Sequence, residues 1–157
     1  MGKIKSILFV CTGTSCRSVI AEGLMRKYLK ELGKDYIEVQ SAGASAIDLF
    51  PPTDETVKVM KENDIDVSGY RSKKVGEELV NKADLILVME DRHKDFIGRM
   101  FPAASSKTHL LKEYGMQEKP NYPEGPNIPD PIGKPIEYYR LSFAVINDQI
   151  KRIAEVV

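Results

Sequence analysis

Cys11 and Arg17 stand six positions apart in the stretch "ILFVCTGTSCRSVIAEGL". A thiolate is a strong nucleophile, and a guanidinium is a planar, two-pronged donor matched to the oxygens of a phosphate group. Thr12, Gly13, Thr14, Ser15 and Cys16 lie between them. All are small, so the backbone can curl around a tetrahedral anion with its N–H groups turned inward. The arrangement suits attack of sulfur on phosphorus, with Arg17 gripping the oxygens as charge develops on them. The same amide dipoles and guanidinium favour the thiolate form of Cys11. Taken alone, Cys11 also fits a buried cysteine at a strand end, with no chemistry. The elements on either side decide between the two.

Ile7, Leu8, Phe9 and Val10 form an unbroken apolar run, as expected of a central strand covered on both faces. From Ser18 onward Ile20, Leu24, Met25 and Tyr28 recur at helical spacing, and Gly33 is a stop signal. The loop thus lies at the carboxyl end of a strand and the N-terminus of a helix, where parallel sheets bind ligands and the helix dipole favours an anion. Ser18 reads as the helix N-cap and lies close to Cys11.

Further along, "YIEVQS" alternates as a strand. Thr53 to Asn63 reads as a helix capped by Thr53, and "VGEELVNKA" as a helix weakened by Gly76. "ADLILVM" is a second buried strand, Arg92 to Phe101 a short helix, and "KTHLL" a last short strand. Ile136, Tyr139, Phe143, Ile146, Ile150, Ile153 and Val157 mark one face of a long final helix packed on a sheet. This alternation predicts an α/β fold with a parallel sheet and helices on both faces.

A long loop containing Pro120, Pro123, Pro126, Pro129, Pro131 and Pro135 precedes that helix. Its prolines favour a stiff, extended path. Asp130, held between Pro129 and Pro131, is a carboxylate pinned on such a loop. Without Cys11 and Arg17 it would be an ordinary Asp-Pro turn.

The 157 residues predict one domain, 1–157, with 42% apolar and 29% charged residues. Twenty-three Lys and Arg balance twenty-three Asp and Glu, so the charge points to neither nucleic acid nor an anionic membrane. No run approaches the ~18 apolar residues of a membrane span. The opening "MGKIKSILFV" lacks a cleavage site and reads as a strand, while Gly2 and Ser6 match the N-myristoylation pattern only by chance. Two cysteines make no secreted disulfide framework, and with only His93 and His109 beside them they give little basis for a metal site. A cytoplasmic protein with reduced thiols and no cofactor is expected.

"VCTGTSCRSVIAEGL" resembles the signature of the low-molecular-weight protein tyrosine phosphatases. Further matches follow in order: "SAG" at Ser41 to Gly43, "ADLILVM" with its short helix, "LLKEY" at Leu110 to Tyr114, and Asp130-Pro131. The resemblance spans essentially the whole chain. It implies three layers around an open four-stranded parallel sheet, with the phosphate-binding loop after strand 1. By matching position, Cys11 would form a cysteinyl-phosphate while Arg17 and the loop from Thr12 to Cys16 hold the equatorial oxygens. Asp130 would protonate the leaving group and then activate water. Ser18 would support the thiolate. Cys16 matches a second loop cysteine able to trap an oxidised nucleophile as a disulfide, a packing role being the alternative. The implied partners are a phosphorylated protein and inorganic phosphate or a similar oxyanion, with no nucleic acid or membrane.

Two departures stand out. Thr14 replaces the family's usual Asn, which bonds to neighbouring polar side chains including one at the position of Ser41, and Tyr70 in "SGYRSKK" stands where many members carry a His of the same bonding network. Both fall in one supporting network, which suggests compensation. On the substrate side, phosphotyrosine-specific members place aromatic residues after the Asp-Pro, whereas Ile132 and Gly133 follow here. Ser15 keeps a small hydroxyl where those members often have a bulky aliphatic. The family's bacterial arginine phosphatases carry Thr there and a "DPFG"-like loop. "DPIG", His93-Lys94 and "LKEY" also resemble that branch.

A small polar wall beside an Asp leaves room for a guanidinium, so phosphoarginine is the expected substrate and phosphotyrosine the alternative. Thioredoxin-coupled arsenate reductases share the loop signature but need downstream cysteines, and residues 17 to 157 contain none. A phospho-carrier needs no acid for a leaving group, which Asp130 would supply. A non-catalytic phosphate-binding module would not need the full set of Cys11, Arg17 and Asp130.

Overall fold

A computed structural model of the chain describes residues 3–13, 16–118 and 120–157. Among these, β1 (Ser6–Cys11), β2 (Glu38–Gly43), β3 (Leu85–Val88) and β4 (Thr108–Leu110) form one parallel sheet in the order β2-β1-β3-β4. The helices are α1 (Arg17–Glu31), α2 (Asp54–Glu62), α3 (Glu77–Lys82), α4 (Asp91–Met100) and α5 (Ile136–Val156), with a 3-10 turn at Pro102–Lys107. The α/β fold with a four-stranded parallel sheet is as the sequence predicts.

The apolar run of β1 is buried on both faces, and its alternation sorts the layers. Ile7, Phe9 and Cys11 pack with Val19, Ile20 and Leu24 of α1 and with Ile146, Ile150 and Ile153 of α5. Leu8 and Val10 face the other way, onto Val80 of α3 and Ile97 of α4. Chain direction across the sheet reverses at β1, since its neighbours β2 and β3 are reached by crossovers on opposite sides. Such a switch point opens a crevice at the strands' carboxyl ends.

Some details differ from expectation. β2 begins at Glu38 and runs on to Gly43, because its register with β1 carries pairing through Cys11↔Gly43. Gly76 does not weaken α3; it lies outside, as the N-cap. The long final helix packs chiefly beside α1 as well as over the sheet. Tyr28 Oη donates to Asn147 Oδ1 at 2.5 Å, and the Lys34 ammonium takes the carbonyls of Ala154 and Val157 at 3.0 and 2.8 Å. That cation satisfies carbonyls a helix end leaves without partners. Thr53 caps α2 as expected, its side chain accepting from Thr56 N–H at 3.3 Å. No helix among the described residues is long and apolar enough to cross a membrane.

Candidate active site

Cys11 ends β1 with its Sγ buried and 3.0 Å from Ser18 Oγ. Ser18 is not the N-cap of α1: that position falls to Cys16, because the chain turns helical at Arg17. The Ser18 hydroxyl, in the first turn of the helix, is instead directed to the sulfur. Beyond Cys11 the loop is fixed from one side. Ala44 N–H donates to Cys11 O and Ser45 N–H to Thr12 O, both at 2.9 Å. In a trans peptide C=O and N–H point opposite ways, so the N–H groups of Thr12 and Gly13 are turned away from that support. Gly43 makes the close approach possible, since a Cβ there would lie 2.5 Å from Thr12 O. Thr14 and Ser15 lie outside the described residues.

Arg17 opens α1 with a side chain only 1% exposed. One guanidinium nitrogen donates to Glu90 Oε2 at 2.5 Å and to the Ile128 carbonyl at 2.6 Å. The other lies 3.5 Å from Thr12 Oγ1 and 3.6 Å from Asp130 Oδ2. The fold thus brings Arg17 and Asp130 together across more than a hundred residues. Asp130 also accepts from Ile132 N–H at 3.1 Å, which fixes its carboxylate against its own turn.

Glu90 and His93 are site residues that the local pattern did not single out as such. Burial opposes ionisation of Glu90, but hydrogen bonds from Arg17 and Arg92 outweigh it and hold the carboxyl below its usual range. Arg92 donates to Glu90 Oε2 at 3.0 and 3.3 Å, and this pairing raises its pKa further. Glu90 directly follows the apolar run that forms β3, so the rule that drew attention to Cys11, a reactive side chain at a buried strand's carboxyl end, points to Glu90 too.

His93 completes a capping box at the start of α4: Glu90 accepts from its N–H, and its Nδ1 accepts from Glu90 N–H at 3.2 Å. With Nδ1 an acceptor, the ring proton sits on Nε2, which donates to Thr12 Oγ1 at 2.9 Å. Burial, reinforced by the Arg17 cation, lowers the His93 pKa to about 4 and keeps the ring neutral.

Ser41 and Tyr70 form the supporting pair. Ser41 Oγ donates to Glu22 Oε1 of α1 at 2.9 Å and lies 2.5 Å from Tyr70 Oη. Cys16 is buried with Val59 and Tyr139, between α2 and α5, and its Sγ lies 3.8 Å from Thr53 Oγ1. Its packing role is visible.

The arrangement is a buried thiol at the base of a helix-terminus loop, a guanidinium held from behind by a carboxylate, and a second carboxylate facing that guanidinium. Such a set belongs to phosphoryl transfer through sulfur. Sequence comparison agrees: residues 6–157 match the low molecular weight phosphotyrosine protein phosphatase family. The chain belongs to this family and is a cysteine-dependent protein phosphatase.

It is 37% identical over 149 residues to a protein-arginine-phosphatase of Geobacillus stearothermophilus, covering 95% of this chain and 93% of that one. A low molecular weight protein tyrosine phosphatase from T. tengcongensis superposes with a TM-score of 0.87 at 37% identity, covering 97% and 99% of the two chains. The tyrosine phosphatase Wzb from Escherichia coli K30, solved with sulphate, gives 0.85 at 31% identity, covering 98% and 99%.

Proposed function

We propose that this chain, acting as one domain over residues 1–157, removes phosphate from phosphoarginine side chains of proteins through a cysteinyl-phosphate. Cys11 Sγ attacks phosphorus, the bond from phosphorus to the substrate nitrogen breaks, and Asp130 gives that nitrogen its proton. A water molecule then attacks the thiophosphate ester, losing its proton to Asp130, and inorganic phosphate leaves as Cys11 returns to thiolate. Arg17 and the loop amides hold the oxygens in both steps. Ser18, 3.0 Å from the sulfur, stabilises the thiolate as nucleophile and as leaving group.

The observation that carries the mechanism is the Arg17–Asp130 pair at 3.6 Å, with Cys11 and Ser18 at the same loop. The substrate class is supported by Ile132 and Gly133 following Asp130-Pro131, with no aromatic ring there to clasp a phenyl group, and by the arginine-phosphatase relative. The test is kcat/KM on matched phosphoarginine and phosphotyrosine peptides. A preference of about tenfold or more for phosphoarginine is expected, the scale of one well-made charge-assisted contact. Preference for phosphotyrosine overturns the substrate class and leaves the cysteine mechanism standing.

A further inference from the structure

Lys112 follows β4 and is 3% exposed, a rare place for an ammonium group. Its Nζ donates to Glu124 Oε1 at 3.0 Å and to the Gly125 carbonyl at 2.9 Å, and it stands 4.1 Å from the centre of the Tyr122 ring. The clasp is reciprocal, because Tyr122 Oη donates to the Lys112 carbonyl at 3.2 Å. An ammonium taken out of water is tolerated where several partners converge on it, and here all of them come from one short turn of the proline-rich loop.

That turn lies just upstream of the catalytic end of the loop. Asn127 Oδ1 accepts from Asp91 N–H at 2.8 Å, Ile128 N–H donates to Met89 O at 2.9 Å, and the Ile128 carbonyl accepts from Arg17. Asp130 comes two residues later. On its other side Lys112 is tied to the sheet, since Leu111 N–H donates to Val88 O at 2.9 Å. Prolines fix dihedral angles within the loop, but they do not fix the loop to the sheet. Lys112 adds a side-chain attachment upstream of those at Asn127 and Ile128.

We propose that Lys112 is a positioning residue for the acid: by clasping Tyr122, Glu124 and Gly125 it sets where the loop delivers Asp130 and the Arg17-binding carbonyl of Ile128. It touches neither reacting atoms nor substrate. The inference rests on the phosphatase mechanism proposed above.

The test compares Lys112→Met, Glu124→Gln and Asp130→Ala with the unmodified protein on phenyl phosphate and p-nitrophenyl phosphate. The quantity is kcat/KM, which reads the step in which the leaving group departs. Phenolate needs a proton far more than nitrophenolate does. For Lys112→Met, kcat/KM should fall about tenfold on phenyl phosphate and less than about threefold on p-nitrophenyl phosphate, a partial loss of the ~10²–10⁴ a general acid supplies. Glu124→Gln, changing an exposed side chain, should show the same selectivity more weakly and carries the test should Lys112→Met fail to fold. Equal losses on both esters, or none, in folded variants overturn the proposal while a selective Asp130→Ala leaves the mechanism intact. No leaving-group selectivity in Asp130→Ala removes Asp130 as the acid, and the proposal with it.

Discussion

The side of the cleft that holds Cys11, the proposed nucleophile, and the side that holds Asp130, the proposed acid, are built from different material. Cys11, Ser18 and Arg17 belong to β1 and the first turn of α1, and each is at most 2% exposed. Backbone pairing and core packing place them. Asp130 belongs to the loop between β4 and α5, and its side chain is 29% exposed. Side-chain anchors place it: Lys112 on Tyr122 and Glu124, Asn127 on α4, and Arg17 on the Ile128 carbonyl. Regular structure holds a group without spending particular side chains on it, whereas a loop needs them one by one. Damage to the first side should therefore remove chemistry and leave geometry. Damage to the second should loosen geometry first.

The largest effect should come from Cys11→Ser. Turnover is expected to fall at least ~10⁴-fold, in line with loss of a nucleophile, while calorimetric affinity for inorganic phosphate stays within about threefold. Persistent turnover would break the assignment of Cys11. Next comes Glu90→Gln, which keeps the shape but removes the anion behind Arg17. A charge-assisted hydrogen bond contributes ~1.5–3 kcal/mol, so kcat should fall about tenfold. Since Arg17 also bonds to the Ile128 carbonyl and faces Asp130, this one change tests whether the two sides depend on each other. An unchanged kcat would show them to be independent.

The smallest effect lies in the acid dependence of stability. The His93 pKa is about 4 in the fold, against an ordinary value near 6.5. Below 6.5 the unfolded chain takes up a proton that the native ring refuses, so stability is present above that pH and falls as pH drops toward 4. Urea midpoints between pH 6.5 and 5 should decline more in the unmodified protein than in His93→Gln. Parallel curves would contradict a buried neutral ring. This window lies above the range in which Glu90 begins to lose its charge.

The contrast between the two sides also explains what the sequence made legible. β1, the loop and α1 could be read from consecutive residues, since an apolar run, small residues and a helical period are local signals. Asp130 was legible because two prolines flank it. Glu90 was marked only by its place after the apolar run of β3, because its importance lies in meeting an arginine 73 residues away, and no periodicity records such a meeting. Lys112 was quoted only as part of "LLKEY", since burial of an ammonium depends on what folds over it. Ser18 was placed one role off, because the residue at which a loop turns helical is set by the path around the anion site and not by N-cap preference alone. Resemblance to the family put Ser41 and Tyr70 in one network, and their direct contact comes only with the fold.

Ile128 fastens the acid loop to the sheet. Its N–H is bonded to Met89 O, and Met89 N–H is bonded to Val10 O, so the acid loop joins the strand ends through a short run of backbone bonds. The buried Ile128 side chain lies in the same core cluster as Phe9 and Leu87. In the language of hydrogen exchange, this amide is a piece of the sheet that happens to sit in a loop. Its protection should track opening of the core, while the neighbouring loop exchanges on its own schedule. The cleft then has a hinge-free seam at Ile128, and any motion that admits substrate must take place on either side of it.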